Sequence, residues 1–160
     1  MGTGGQISIL SDWYFEKDGI EARPFLNRKY LLAGASLCGG KAYALLENFF
    51  RKFVKEATGQ DKPLYKIMET MAEKGKEFDA RQLENRRLKI ETTFDGTRVS
   101  PELGGSITNL FSDNFTPESF TYGVLEGMSR ELYNMYQTIH NGTDIEVKHI
   151  TGSGNGLRKK

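Results

Sequence analysis

The sequence has few of the features that mark secreted, membrane-spanning or nucleic-acid-binding proteins. Its 160 residues include a single cysteine, Cys38, so no intramolecular disulfide can form, as is usual in a reducing compartment. The 22 basic and 21 acidic residues give a formal net charge of +1, so binding to nucleic acid or anionic lipid would need a local patch. The apolar runs are far too short to cross a bilayer. We therefore expect a cytoplasmic protein that binds neither nucleic acid nor a membrane.

The residues that are present describe an ordinary globular domain. Apolar side chains make up 38% of the chain and charged side chains 27%, and 160 residues are enough for one domain with a real core. Glycosylation sequons begin at Asn114 and Asn141. In a protein expected in the cytoplasm, we interpret both as accidental.

The first informative stretch is Gly2-Thr3-Gly4-Gly5, which leads directly into an alternating apolar strand that begins at Gln6. Glycine adopts backbone angles closed to other residues and lets main-chain N–H groups approach a bulky anion, while the threonine adds a hydroxyl. The stretch is therefore typical of a phosphate-binding turn at the tip of a β-hairpin. Taken alone, such a stretch is more often a flexible or processed terminus.

Hydrophobic periodicity predicts an α/β fold. Three segments follow the helical period: 42–57, 61–74 and 116–139. Six segments have the pattern of strands: 6–15, 20–23, 30–34, 88–93, 106–110 and 145–150. The first three strands are expected to form an antiparallel meander. Thr116 is expected to cap the last helix, and the aromatic-rich stripe of the first helix, with Leu45, Phe49 and Phe53, is interpreted as core.

The junction before the first helix has the order of a P-loop, with a strand, a glycine loop, a lysine and a helix. It departs from that motif because Gly40 stands between Gly39 and Lys41, and because Ala42 lacks the hydroxyl that would bind magnesium. A degenerate P-loop nucleotidase is therefore kept only as an alternative. The start of this helix is still a good anion site, because of its dipole and its free N–H groups.

A second glycine stretch, Gly152-Ser153-Gly154-Asn155-Gly156, follows the last predicted strand. It is not a dinucleotide fingerprint, since its spacing is G-x-G-x-G and neither a helix nor an acidic residue follows. Residues with little or no side chain would let a flat base or a ribose lie against the main chain. The alternative interpretation is a linker to the basic tail at 158–160.

Six short stretches, taken in order, resemble the C-terminal domain of FGGY-family carbohydrate kinases, most closely sedoheptulokinases. These stretches are 2–6, 31–40, 94–98, 104–110, 125–128 and 150–154. The resemblance covers nearly all of the chain, which we treat as one partial domain over 1–160. It implies an α/β fold of the ribonuclease-H-like, or actin-like ATPase, type, in which a mixed sheet is flanked by helices.

The resemblance also implies a nucleotide site. In that family, ATP passes its γ-phosphoryl group to a sugar hydroxyl with the help of Mg²⁺. By resemblance, Gly2, Thr3 and Gly4 hold phosphate oxygens, and Gly40 lines the nucleotide phosphates. Ala44 departs from the family, because some relatives have a small polar residue there.

At the other end of the nucleotide, the resemblance implies an adenosine-binding turn. Gly152, Ser153 and Gly154 match that turn. Asn155 is the nearest counterpart of an asparagine that the family places just beyond it.

The general-base aspartate of the family and nearly all of its sugar contacts belong to an N-terminal domain, to which nothing in these residues corresponds. Because the strand expected before the first glycine turn and the helix expected after the second glycine stretch are both missing, we expect a domain truncated at both ends. It is expected to bind ATP for a kinase of a ketose such as sedoheptulose and to have no catalytic residue of its own. Alone it is expected to be inactive, and exposed strand edges are expected to cause self-association. A non-catalytic nucleotide-binding or structural module of the same fold remains the alternative.

Overall fold

A three-stranded antiparallel sheet forms the N-terminal part of the fold. The computed structural model describes residues 4–154. The strands of this sheet are β1 (Gln6–Ser11), β2 (Ile20–Pro24) and β3 (Tyr30–Ala35). Their order is β1-β3-β2, with Ile9 opposite Leu32 and Ile20 opposite Gly34. The predicted meander is wrong, since it would place β2 in the centre. The most apolar strand, β3, lies there instead, and its Leu32 is fully buried.

Three helices and a smaller sheet complete the described part of the chain. The helices are α1 (Gly39–Thr58), α2 (Tyr65–Asp79) and α3 (Pro117–Gly142), and β4 (Lys89–Glu91) pairs antiparallel with β5 (Ser106–Thr108). The predicted cap of α3 is confirmed, because Oγ1 of Thr116 accepts a hydrogen bond from the N–H of Ser119 at 3.2 Å. Within residues 4–154, no helix is long and apolar enough to span a membrane.

Helix α3 joins the two sheets, because a separate apolar cluster packs on each of its halves. The first cluster consists of Cys38, Ala42, Leu88, Ile90 and Val124. The second cluster consists of Ile20, Leu32 and Ile139. The helix therefore determines how β3 and the start of α1 lie relative to β4. The candidate site described below depends on this arrangement.

Helix α1 buries less of its apolar stripe than the sequence predicts. Leu45, Phe49 and Phe53 are 40%, 67% and 73% exposed in the described structure, so their interpretation as core is wrong. The helix instead buries Glu47, whose Oε1 accepts a hydrogen bond from the N–H of Leu64 at 3.0 Å and so caps the start of α2. Periodicity identifies an apolar face but does not say which elements will cover it.

Two predicted strand segments do not form. Residues 12–15 leave the sheet as an irregular loop in which Trp13 is 78% exposed, and 145–150 are irregular, with Ile150 89% exposed. An alternating apolar pattern becomes a strand only when a neighbouring edge pairs with it, and no strand within 4–154 pairs with either segment. The α/β prediction is confirmed, but the mixed sheet is wrong, because every strand pair in this range is antiparallel.

The sequon at Asn114 lies in the interior of the described fold. Asn114 is 2% exposed, and its Oδ1 accepts the N–H of Phe111 at 2.8 Å while its Nδ2 donates to the carbonyl of Asn109 at 2.9 Å. A side-chain amide bound in this way is inaccessible to a glycosylating enzyme in the folded protein. Its function is to hold the loop before α3 together.

Candidate functional site

Gly4 and Gly5 from the N-terminal glycine stretch meet Gly39 at the start of α1. Gly39, the first residue of the helix, has a φ of +31° and lies buried against the backbone of Gly4 and Gly5. A Cβ atom on Gly39 would overlap the backbone N of Gly5 and would lie 2.7 Å from the carbonyl C of Gly4. Position 39 therefore requires glycine, because a side chain would push the N-terminal stretch away from the helix. We call this contact the glycine junction.

Ser36 links three segments at the glycine junction, and it is only 5% exposed. Its backbone N–H donates to the carbonyl of Gly5 at 2.8 Å, and its Oγ accepts the N–H of Gly39 at 2.8 Å. The same Oγ donates to Oε2 of Glu131 at 2.8 Å. One serine thus connects the N-terminal glycine stretch, the start of α1 and the middle of α3. It also satisfies one of the N–H groups that have no acceptor within the helix.

The carboxylate of Glu131 lies partly buried beneath the glycine junction. A second hydroxyl, from Thr92, also donates to Oε2 of Glu131, at the longer distance of 3.4 Å. Thr92 is 1% exposed and directly follows β4. The carboxylate is therefore held between hydroxyl donors from two different parts of the chain, both of which pack against α3.

The first turn of α1 offers a hydrogen-bond donor and a cation. Within residues 4–154, the N–H of Gly40 donates to no protein acceptor, and Gly40 is partly exposed. The next residue, Lys41, places its Nζ 2.7 Å from the carboxylate of Asp95, and this hydrogen bond raises the pKa of Lys41. Helix N-termini bind anions through free N–H groups and the positive end of the helix dipole. The arrangement suits a phosphate group.

Cys38 lies directly before this turn but does not have the properties of a reactive thiol. It is 1% exposed, and burial raises the pKa of its thiol, with a smaller contribution from the carboxylate of Asp95. A protonated, inaccessible thiol is a poor nucleophile. We interpret Cys38 as a packing residue of the first apolar cluster.

The described structure brings together two of the predicted phosphate-binding residues. Gly4 contacts Gly39, the residue before Gly40, so Gly4 and Gly40 lie on opposite sides of the glycine junction. Gly2 and Thr3 lie outside the described residues. Their predicted contact with phosphate stays a prediction.

The predicted adenosine-binding turn belongs to the segment after α3 and not to the start of α1. Gly152, Ser153 and Gly154 are exposed in the irregular segment that follows α3. Among the hydrogen bonds of residues 4–154, none connects these three to the glycine junction. Asn155 lies outside the described range. The role of all four in binding adenosine stays a prediction.

Sequence reasoning missed three residues of the site. Gly39 had a local signal, since it is the first of a glycine pair at a helix start, and Ser36 lies three residues before it, where a hydroxyl reaches a helix N–H. Glu131 had no local signal in the sequence, because its partner Ser36 is 95 positions away. A contact of that kind depends on how α3 packs against β3 and cannot be read from spacing.

The alternative of a degenerate P-loop is not supported by this fold. In a P-loop protein, the strand before the glycine loop belongs to a strand-helix-strand unit with parallel strands. Here β3 is the central strand of an antiparallel sheet. Lys41, which occupies the place of the P-loop lysine, is bound to Asp95.

The fold is shared with part of several xylulose kinases of known structure. The enzyme from Rhodospirillum rubrum matches with a TM-score of 0.68 and 16% identity over 88% of this chain and 26% of that one. The ligand-bound enzyme from Lactobacillus acidophilus gives 0.65 and 18% over 89% and 27%. The enzyme from Bifidobacterium adolescentis gives 0.62 and 17% over 89% and 26%. At these identities, the likeness shows the fold.

No family model matches the sequence, and a search of curated proteins gives no match either. The chain spans about a quarter of the length of the xylulose kinases that it resembles in structure. The described residues therefore have the fold of part of these xylulose kinases. The distinctive feature of this chain is a glycine junction at a helix N-terminus, beside a lysine.

Proposed function

We propose that this chain is the ATP-binding part of an FGGY-type carbohydrate kinase, which transfers the γ-phosphate of ATP to a hydroxyl of a sugar. The observation that carries the proposal is the glycine junction, where the backbone of Gly4 and Gly5 packs on Gly39 at the start of α1. It lies within a fold shared with xylulose kinases. The resemblance to the C-terminal, ribonuclease-H-like domain of FGGY kinases gives the junction its proposed ligand.

The residues of the glycine junction fit a nucleotide phosphate. Gly4 and Gly5 on one side of the contact and Gly39 on the other have no side chains that would keep a ligand from their main chain. Within 4–154, the N–H of Gly40 has no protein acceptor. One residue further on, the positive charge of Lys41 is paired with the carboxylate of Asp95. In the proposal, the hydroxyl of Thr3 donates a hydrogen bond to a phosphate oxygen. The N–H groups beside Thr3 and the N–H of Gly40 complete the phosphate contacts. ATP, when bound, supplies the phosphoryl group that is transferred.

The adenosine end of the nucleotide is assigned to the second glycine stretch. Gly152, Ser153 and Gly154 are exposed and bare enough to let a base or ribose lie against their main chain. Asn155 is the proposed polar contact beyond them. The assignment is supported by the resemblance of 150–154 to the adenosine motif of the family.

Mg²⁺ is proposed to arrive with the nucleotide. Residues 4–154 contain no group of three or more side chains that would hold a metal ion by themselves. Magnesium in phosphoryl-transfer sites is bound mainly by phosphate oxygens and water, with only one or two carboxylates from the protein. The described residues are compatible with that mode of binding.

The proposed sugar is a ketose such as sedoheptulose, and the proposed location of the protein is the cytoplasm. The structural neighbours are named as kinases of xylulose, which is also a ketose. Because the family's general base and sugar contacts belong to its N-terminal domain, we propose that this chain alone binds ATP without transferring phosphate. Mixing the chain with Mg·ATP and sedoheptulose should release no ADP above background. Steady turnover would contradict this part of the proposal.

Thermal unfolding with and without Mg·ATP tests nucleotide binding directly. Nucleotide at about 50 times its Kd stabilises a folded protein by about 2 kcal/mol, which raises the Tm of a domain of this size by roughly 4–8 °C. Thr3→Val should weaken ATP binding by about 10- to 100-fold, because a hydrogen bond to a charged group is lost. Thr108→Val, on the exposed strand β5, is the matched control and should bind as the wild type does.

Two outcomes of that experiment would count against the proposal. A Tm that does not respond to ATP at millimolar concentration would indicate a structural module instead. ATP binding that is unchanged in Thr3→Val would indicate a nucleotide-binding module in which the first glycine stretch is not a phosphate loop.

Self-association through strand pairing is a further part of the proposal. Within 4–154, β1 is an edge strand that pairs only with β3, and edge strands expose rows of unpaired N–H and C=O groups. The N–H of Ser36 donates to the C=O of Gly5, the residue opposite it. In an antiparallel ladder, successive residues alternate between bonding to the partner strand and pointing their N–H and C=O groups away from it. Ser8, three residues after Gly5, therefore points its N–H away from β3. Ser8→Pro should therefore reduce association without breaking the sheet, measured by light scattering over a range of concentrations. An equally associated Ser8→Pro variant would contradict pairing at this edge.

A further inference from the structure

We propose that Glu131 is a positioning residue for the phosphate-binding backbone. Acting through Ser36, it holds the first turn of α1 in register with the N-terminal glycine stretch. The proposal rests on the ATP-binding function proposed above and adds to it a residue that does not touch the nucleotide. Its basis is the continuous path from Oε2 of Glu131 to Oγ of Ser36 and on to the N–H of Gly39, with 2.8 Å at each step.

The direction of these hydrogen bonds assigns a specific task to the carboxylate. A serine hydroxyl has one proton and two lone pairs, and an ionised carboxylate can only accept. Because the Ser36 hydroxyl directs its proton into the hydrogen bond to Glu131, a lone pair of Ser36 Oγ faces the N–H of Gly39. Without the carboxylate, the hydroxyl is free to rotate and its proton can point toward that N–H. The hydroxyl of Thr92 donates a second, longer hydrogen bond to the same oxygen at 3.4 Å.

The backbone at this place needs such support from outside. Gly39 has a positive φ, and the glycines on both sides of the junction have more conformational freedom than any other residue. Ser36 restrains both sides at once, since its N–H holds the carbonyl of Gly5 and its Oγ holds the N–H of Gly39. A backbone that is already ordered before an anion arrives binds it more tightly than one that must be ordered on binding.

A direct contact between Glu131 and the phosphates is a different model, and the two models predict different results. A carboxylate that held Mg²⁺ would need its negative charge, so Glu131→Gln and Glu131→Ala would both abolish its contribution. A positioning residue needs only an acceptor for the Ser36 proton, and the side-chain carbonyl of glutamine supplies one. Rescue by glutamine therefore separates the two models.

Amide hydrogen exchange at Gly39, measured by NMR without nucleotide, tests the positioning directly. We expect exchange to become about tenfold faster in Glu131→Ala and in Ser36→Ala, because each variant loses or loosens the acceptor of that N–H. Glu131→Gln should stay near the wild type. Glu126→Gln is the matched control, since Glu126 is on the same helix and pairs with Arg130. Unchanged exchange in Glu131→Ala would overturn the proposal, whatever the nucleotide results.

The Kd for Mg·ATP, measured by calorimetry on the same variants, tests the consequence for binding. Glu131→Ala and Ser36→Ala should each weaken ATP binding about tenfold, and the double variant should be no weaker than Ser36→Ala alone, because the two residues act in series. Adenosine binding should not change. Additive losses, or equal losses in Glu131→Gln and Glu131→Ala, would overturn the proposal. A wild type that binds no ATP at all would instead contradict the proposed function.

Discussion

Replacing Gly39 with alanine is expected to destabilise the protein by about 3 kcal/mol and to abolish ATP binding. Two effects add: an alanine at positive φ costs about 1 kcal/mol, and a Cβ at this place overlaps the main chain of Gly5, which has no side chain to move aside. For a domain of this size, the loss lowers Tm by roughly 6–12 °C. Urea unfolding followed by circular dichroism measures the first effect, and calorimetry with Mg·ATP measures the second.

Gly59→Ala is the matched control for this substitution. Gly59 ends α1 with a φ of +71°, but a Cβ there would have no atom within 4 Å. The control should therefore lose only the roughly 1 kcal/mol that positive φ costs, and it should bind ATP normally. If Gly39→Ala is no less stable than Gly59→Ala, the close packing of the glycine junction is wrong. If it is less stable but binds ATP as the wild type does, the junction is structural and binds no phosphate.

Local signals in the sequence were enough to predict most helices and strands. Thr116 and Pro117 mark the start of α3, and the alternation from Gln6 onward marks β1, because caps and side-chain alternation depend on neighbours a few residues away. That Gly4 and Gly40 belong to one nucleotide site was implied by the family resemblance and not by local signals; the described fold places Gly4 against Gly39, the residue before Gly40, and their contact with a nucleotide stays a prediction.

Features that depend on distant contacts were missed or wrongly assigned. The apolar pattern of 145–150 is compatible with a strand, but no strand among the described residues pairs with it. Phe49 and Phe53 have helical spacing, yet nothing in the described fold covers them. Glu131 has an ordinary surface-helix context in the sequence, and only the packing of α3 brings it to Ser36. In each case, the deciding neighbour lies far away along the chain.

Packing of α3 against β4 also supports the site, and it leads to the second large prediction. Gly127→Ala is expected to destabilise the fold by about 2–3 kcal/mol, although alanine in a helix interior is normally about 1 kcal/mol better than glycine. A Cβ on Gly127 would overlap the carbonyl O of Ile90 and would come within 3.1 Å of Cγ2 of Thr92. The helix would have to move away from β4. The free energy of unfolding in urea measures the loss.

The neighbouring glycine on the same face of α3 provides the control. A Cβ on Gly123 would meet side-chain atoms, with Cδ1 and Cγ1 of Ile90 at 3.0 and 3.2 Å and Cδ2 of Leu88 at 3.5 Å, and side-chain atoms can shift where a backbone carbonyl cannot. Gly123→Ala should therefore be close to neutral, since helix propensity offsets a small steric cost.

The displacement of α3 in Gly127→Ala would also affect the glycine junction. It would pull Arg130 Nη2 from the Ile90 carbonyl, now 3.0 Å away, and Glu131 from Ser36. Gly127→Ala should accordingly speed amide exchange at Gly39, whereas Gly123→Ala should not. Equal stability of the two variants would contradict close helix-strand packing at Gly127, and unchanged Gly39 exchange in a destabilised Gly127→Ala would contradict the coupling between α3 and the glycine junction.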